Sequence, residues 1–146
     1  MIHRRRFLGL ALVAAVGAAA ALYAVPSLAK SPLALTGYDP VSYFSGSAPT
    51  DGKARFTAQH NGLTYRFATA ENRDIFLAEP ARYAPQFDGY CAYGVSRGYK
   101  VGVDPLAYRV VEGKLYVNYS KSVQRTWSEN IPGFIAKANR NWPGLQ

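Results

Sequence analysis

The dipeptide Asn61-Gly62 constrains this chain more than any other feature. It separates two strand-like runs, 54–60 and 63–67, and Asn-Gly between such runs is the strongest short-range signal for a two-residue hairpin turn. On the outgoing run Leu63, Tyr65 and Phe67 alternate and so share one face. Glu112-Gly113 does the same work between 108–111 and 114–119. Helix signals surround the hairpins. Asp39-Pro40 reads as an N-cap followed by proline at the first helical position, opening a short helix over 41–44 that Gly46 stops. Residues 45–52 read as a loop of small residues. Thr69 caps a second helix, with Glu71 in its first turn and Ile75 and Phe76 as its apolar side; Pro80 ends it, and a turn carries Tyr83. Ser120 caps a helix holding Val123 and Trp127, and a last helix runs from about Ile131 to Trp142, with Phe134, Ile135 and Ala138 at helical spacing. The stretch 88–100 is rich in glycine and tyrosine and reads firmly as neither helix nor coil. Hairpins alternating with helices, without βαβ spacing, predict an α+β fold of small antiparallel hairpins packed with short helices. The residues show no internal repeat, although the two hairpin-then-helix blocks are similar in outline.

The N-terminus reads as an address. Arg4-Arg5, a spacer, then Phe7-Leu8 resembles a twin-arginine export signal. The uncharged stretch 7–25 follows, and Ser27-Leu28-Ala29 is a small-x-small cleavage pattern that makes Lys30 the mature N-terminus. The alternative is an uncleaved inner-membrane anchor, because 7–25 approaches the roughly 20 residues that span a bilayer. Either reading puts the rest of the chain in the periplasm, since the arginines stay inside. The expected organisation is a signal peptide or anchor over 1–29, a tether over 30–36 and one folded domain over 37–146.

Composition narrows the function classes. At 49% hydrophobic and 18% charged residues, the body of the chain is globular. Of 17 basic residues, three are Arg4, Arg5 and Arg6, so the exported part carries 14 basic against 9 acidic residues, a net +5. Those charges are scattered singly, which argues against a phosphate track and nucleic-acid binding. Cys91 is the one cysteine, so no intramolecular disulfide forms. His60 is the one histidine beyond the leader, and Met1 the one methionine. A closed structural zinc site or a Met-rich copper site therefore lacks ligands. Ser-His-Asp sets, phosphate-binding glycine loops, Cys-x-x-Cys pairs and haem attachment motifs give no defensible match.

Several motifs together resemble the YHS-domain family. They are Gly37-Tyr38-Asp39-Pro40-Val41, Asn61-Gly62 with Tyr65-Arg66-Phe67, Glu71-Asn72-Arg73-Asp74-Ile75-Phe76, Pro80-Ala81-Arg82-Tyr83 and Gly89-Tyr90-Cys91-Ala92. Asp104-Pro105, Gly113-Lys114-Leu115-Tyr116, Asn118-Tyr119 and Asn141-Trp142-Pro143 match its exported subgroup. The resemblance covers nearly all of 37–146. It implies a small α+β module associated with metal handling. Metal-type members carry cysteines at the positions of Ser42 and Asn72, so their ligand set does not transfer to this chain. The exported subgroup has no established activity to carry over.

Cys91 and His60 remain as candidate ligands for a transition-metal ion. Cys91 is either a thiolate that binds metal or reacts, activated by a cation such as Arg97 or Lys100, or a small buried hydrophobe. His60, just before the hairpin turn, is a ligand only if Cys91 or carboxylates stand beside it; otherwise it is a turn-capping or exposed side chain. Asp39, Asp88 and Asp104 flank proline or glycine and read first as caps or turn residues, and second as oxygen ligands. Tyr90, Tyr93 and Tyr99 form a cluster suited to a ligand pocket or protein interface, or to a core whose hydroxyls reach the surface. Three functions follow as expectations. The first is a non-enzymatic module for a metal ion or small ligand centred on Cys91. The second is a thiol-dependent redox enzyme using Cys91. The third is an accessory protein whose tyrosine-rich face docks a partner in a membrane complex.

Overall fold

A computed structural model of the protein describes residues 31–146. The export segment expected over 1–29, and Lys30, lie outside the described residues. Four strands form two separate antiparallel pairs: β1 (Lys53–His60) with β2 (Leu63–Phe67), and β3 (Asp104–Val111) with β4 (Lys114–Asn118). Both connections have two left-handed residues, Asn61 at φ 48° with Gly62 at 74°, and Glu112 at φ 50° with Gly113 at 74°. That is the geometry of a type I′ turn, whose twist matches that of the strands it joins.

An isolated two-stranded hairpin is marginal in water, so each is backed by helices. α1 (Ala70–Ala78) follows the first and α4 (Lys121–Ser128) the second. Thr69 accepts the Asn72 N–H at 3.0 Å and Ser120 accepts the Val123 N–H at 3.1 Å, both as N-caps. α1 ends just before Pro80, as expected, and the turn expected to carry Tyr83 is the short helix α2 (Pro80–Tyr83), which Pro80 opens at a position where its missing N–H costs nothing. Ile75 is 36% exposed, so Phe76 carries the apolar side of α1 nearly alone. The unassigned stretch after residue 88 contains a short helix, α3 (Ala92–Ser96), and α5 (Ile131–Asn141) closes the chain. Among the described residues, no helix is long and apolar enough to cross a membrane.

The expected tether is part of the folded body from Ser31 onward. The Thr64 N–H donates to the Pro32 carbonyl at 2.8 Å, Leu33 bridges to Thr64, and Ala34 and Leu35 are buried.

The two blocks are one structural unit used twice. Gly62 and Gly113 stand 113 − 62 = 51 positions apart, and the same offset relates the strand registers. In the first hairpin Lys53 pairs with Phe67 before the register shifts to Thr57 with Arg66; in the second, Asp104 pairs with Asn118 before shifting to Tyr108 with Val117. Over residues 35–44 the offset is 52, as between residues 39 and 91. Leu35-Thr36-Gly37 and Phe87-Asp88-Gly89 are successive left-handed residues. After them the Asp39 N–H donates to the Thr50 carbonyl at 2.9 Å, and the Cys91 N–H to the Val101 carbonyl at 3.1 Å. A short helical segment then starts in both, Pro40–Phe44 in the first half and α3 in the second.

Each half has its own core. Tyr65, Phe67 and Phe76 pack in the first, with ring centroids 4.8 Å (Tyr65–Phe76) and 5.2 Å (Phe67–Phe76) apart. Their counterparts Tyr116 and Trp127 pack 5.6 Å apart in the second, with Phe87 and Val95. Burying each such ring contributes on the order of 2 kcal/mol. A third cluster joins the halves: Leu35 and Tyr43 from the first against Leu115 and Val117 from the second, with the Tyr43 hydroxyl donating to the Pro105 carbonyl at 2.9 Å.

Candidate functional site: the Cys91 cavity

The left-handed turn at Phe87-Asp88-Gly89 delivers Cys91 to the N-cap of α3. There its sulfur takes the place of a capping oxygen. Sγ accepts the Gly94 N–H at 3.4 Å and, from the end of β4, the Tyr119 N–H at 3.2 Å. The thiol proton is directed at Asn118 Oδ1, 3.7 Å away, and that oxygen also accepts the Tyr93 N–H at 3.2 Å. Asn118 is fully buried, and its Nδ2 has no hydrogen-bond partner among the described residues.

Cys91 itself is 1% exposed, yet it forms part of the wall of a cavity of about 220 Å³. Tyr93, Tyr99, Val101, Tyr119 and Val123 form the rest. Tyr99 and Tyr119 are half-exposed and stand at its mouth. Gly94 fits closely against this wall: a Cβ there would stand 3.0 Å from a Val101 methyl and 3.1 Å from the Tyr99 ring, so those side chains would have to give by a few tenths of an ångström. A larger groove, about 480 Å³, runs past Ser31, Leu33, Thr57 and Arg66. It holds no thiol, imidazole or carboxylate, so the smaller cavity is the better candidate for chemistry.

The two expected metal ligands are not walls of one cavity. His60 ends β1 in the first half, and Cys91 opens α3 in the second. The His60 ring stands edge-on to Phe76 at 5.9 Å and tilted to Tyr65 at 6.4 Å. It borders a different depression, with Gln86, Asp88 and Trp142. Among the described residues, no three His, Cys, Asp or Glu side chains converge as a metal site would need.

The aspartates serve the backbone. Asp39, fully buried, accepts N–H groups from Val41 and Ala68 at 2.9 Å each and from the Asn72 side chain at 2.7 Å. Asp104 accepts the Leu106 N–H at 2.9 Å, and Asp88 occupies the left-handed turn before Cys91. Ser42 donates to the Asp39 carbonyl and accepts the Thr50 N–H. Of the tyrosine cluster, Tyr93 and Tyr99 meet at the cavity, whereas Tyr90 lies against Trp142 and under the Lys100 ammonium. Neither Arg97 nor Lys100 belongs to the cavity wall.

Sequence reasoning missed Val101, Asn118, Tyr119 and Val123 as site residues. Asn118 alone left a signal, a polar side chain directly after the apolar run Leu115-Tyr116-Val117. These observations define an α+β protein of two like halves, one closed over a buried aspartate and the other walled by a thiol and tyrosines. No protein-family model, curated protein or solved structure matches the chain.

Proposed function

We propose that this chain is an exported, YHS-like module that binds a small ligand in the periplasm without transforming it, and that the Cys91 cavity is its binding site. The observation that carries this reading is the cavity of about 220 Å³ walled by Cys91, three tyrosines and two valines. Small-molecule sites are concave, mostly apolar and equipped with a few placed polar groups. Here the wall residues that carry polar atoms are Cys91 and the three tyrosines. The twin-arginine pattern at Arg4-Arg5 supports the address, and the motif string from Gly37 to Pro143 supports the family. The small-ligand branch is preferred over the metal branch because the cavity wall contains no imidazole or carboxylate to join the sulfur.

The test is a fragment screen by NMR on the purified full chain. The amide resonances of Gly94 and Tyr119, whose N–H groups point at sulfur, should shift with aromatic fragments. Cys91 should then alkylate several-fold more slowly, since bound fragments cover it. A screen that leaves both resonances unmoved, with alkylation unchanged, rejects the reading.

A further inference from the structure

One hairpin face is covered in the second half of the molecule and open in the first. Leu115 and Val117 share a face of β4 and are fully buried. Leu35 and Tyr43 of the first half pack on them. Tyr108, paired with Val117 across the strands, meets the Tyr43 ring edge-on at 4.8 Å. At the 51-residue offset (115 − 64, 117 − 66, 108 − 57) the counterparts of these three are Thr64, Arg66 and Thr57. They too share a face: Thr64 and Arg66 alternate along β2, and Thr57 pairs directly with Arg66. Here nothing equivalent to Tyr43 lies on top, because its own counterpart, Val95 (95 − 43 = 52), is buried in the second core. The groove of about 480 Å³ runs over this face instead.

Arg66 is the charged residue of that groove, and the chain gives it no carboxylate. Among the described residues the ion pairs are Arg73–Asp74 and Arg82–Glu79, and residues 1–30 contain neither Asp nor Glu. Arg66 is half-buried. Its guanidinium stays charged at any physiological pH and carries five donors in a planar fork. Gly37 locates that fork. A Cβ on Gly37 would stand 3.8 Å from Arg66 Nη1 and 3.3 Å from Leu33 Cδ2, so the cation and the Leu33 side chain meet over the same glycine. Leu33 is 39% exposed, and Pro32 and Ala54 belong to the same wall. The groove therefore sets one unpaired cation beside an apolar surface.

We propose that this groove is a second binding site, whose ligand is a small organic carboxylate with its anion on the Arg66 fork and its apolar body against Leu33 and Pro32. A carboxylate matches the fork with two parallel hydrogen bonds. The guanidinium is weakly hydrated, so an anion displaces its water more readily than it would displace water from an ammonium. No wall residue is Asp or Glu, so nothing in the wall competes for Arg66 or repels an anion. The apolar wall favours an organic acid over an inorganic oxyanion, because only the former brings surface to bury there. The volume falls within the range of small-molecule sites. This site lies in the first half and stands or falls apart from the Cys91 cavity.

Three probes test it: hexanoate, hexanamide of the same length without the charge, and inorganic phosphate. Each is titrated into the purified full chain while the Thr57 and Arg66 amide resonances are followed by NMR. Hexanoate should shift both and bind about fivefold more tightly than either other probe, the worth of one partly exposed charged contact. Added salt should weaken it. Arg66→Gln should reduce hexanoate to the level of hexanamide, and Arg66→Lys, which keeps the charge and loses the fork, should fall between. The wild-type comparison decides the matter even if Arg66→Gln fails to fold. Hexanamide binding as tightly as hexanoate overturns the role of charge, and phosphate binding as tightly overturns the organic class. Thr57 and Arg66 resonances that stay still, or that still shift in folded Arg66→Gln, reject the site. The Gly94 and Tyr119 amides report the Cys91 cavity separately, so hexanoate shifts confined to them also reject it.

Discussion

Around Asp39, a carboxylate with two oxygens collects three N–H groups, and a neighbouring side chain, Asn72, fills the space above it. Around Cys91 the same backbone path presents a single sulfur, collects two N–H groups, and is flanked by Val123 and a cavity. The backbone geometry is common to both halves; the side chains decide that one node is a strut and the other a site. A buried carboxylate must be fully hydrogen-bonded to be tolerated, so the first node cannot be left partly open. A thiol is a weak donor and acceptor with a small desolvation cost, so the second can face a cavity without destabilising the fold.

Removing each node should expose that difference most strongly. Asp39→Ala leaves three N–H groups without an acceptor and should cost about 3 kcal/mol, at about 1 kcal/mol or more for each buried donor. Cys91→Ala removes two longer bonds to sulfur and should cost about 1 kcal/mol. Urea unfolding of both variants measures this; equal losses would break the strut-versus-site comparison.

The second contrast concerns Tyr65 and its counterpart Tyr116. Burial, helped by the Asp88 charge, pushes the Tyr65 phenol far above its usual range; burial and the Glu112 charge raise Tyr116. A raised phenol favours the protonated folded state. Stability is thus complete below the unfolded value near pH 10 and falls as pH climbs toward the folded value. The slope is about 1.4 kcal/mol per pH unit for each such tyrosine. Tyr65→Phe should flatten the alkaline limb of a stability-versus-pH curve. Tyr116→Phe should flatten it less; the reverse order would count against the burial account.

The smallest expected effect lies at the turns. Asn61 suits the left-handed first position of its hairpin turn, whereas Glu112 holds φ 50° at a position where a longer side chain is disfavoured. Glu112→Asn should therefore stabilise the protein by about 0.5 kcal/mol, seen as a small rise in Tm. A fall in Tm would mean that the Glu112 side chain makes a contact worth more than the strain.

Much of the fold was legible because its signals are local. Asn61-Gly62, Glu112-Gly113 and the caps Asp39, Thr69 and Ser120 act within a few residues, and each does in the structure what its chemistry predicts. The duplication was not legible. Several of its counterparts are chemically unlike: Asp39 with Cys91, Phe67 with Asn118, Asn72 with Val123. What they share is φ/ψ and register, which side-chain identity does not display. Pro80 was legible as the stop of α1; that it also starts α2 was not, because that depends on the turn of chain after it. Cys91 was legible as a candidate by being alone, but its neighbours were not.

Residue identity on its own determined the α+β class, both hairpin turns, the helix starts capped by Asp39, Thr69 and Ser120, and the absence of any internal disulfide, because each depends on chemistry within reach of a few bonds. Tertiary structure alone decided that Cys91 and His60 serve different halves, that Tyr99 and Tyr119 guard one cavity, and that Asn72 and Val123 occupy matching places. Those facts depend on where strands from distant stretches of chain come to rest, and packing between them, rather than any local preference, sets that.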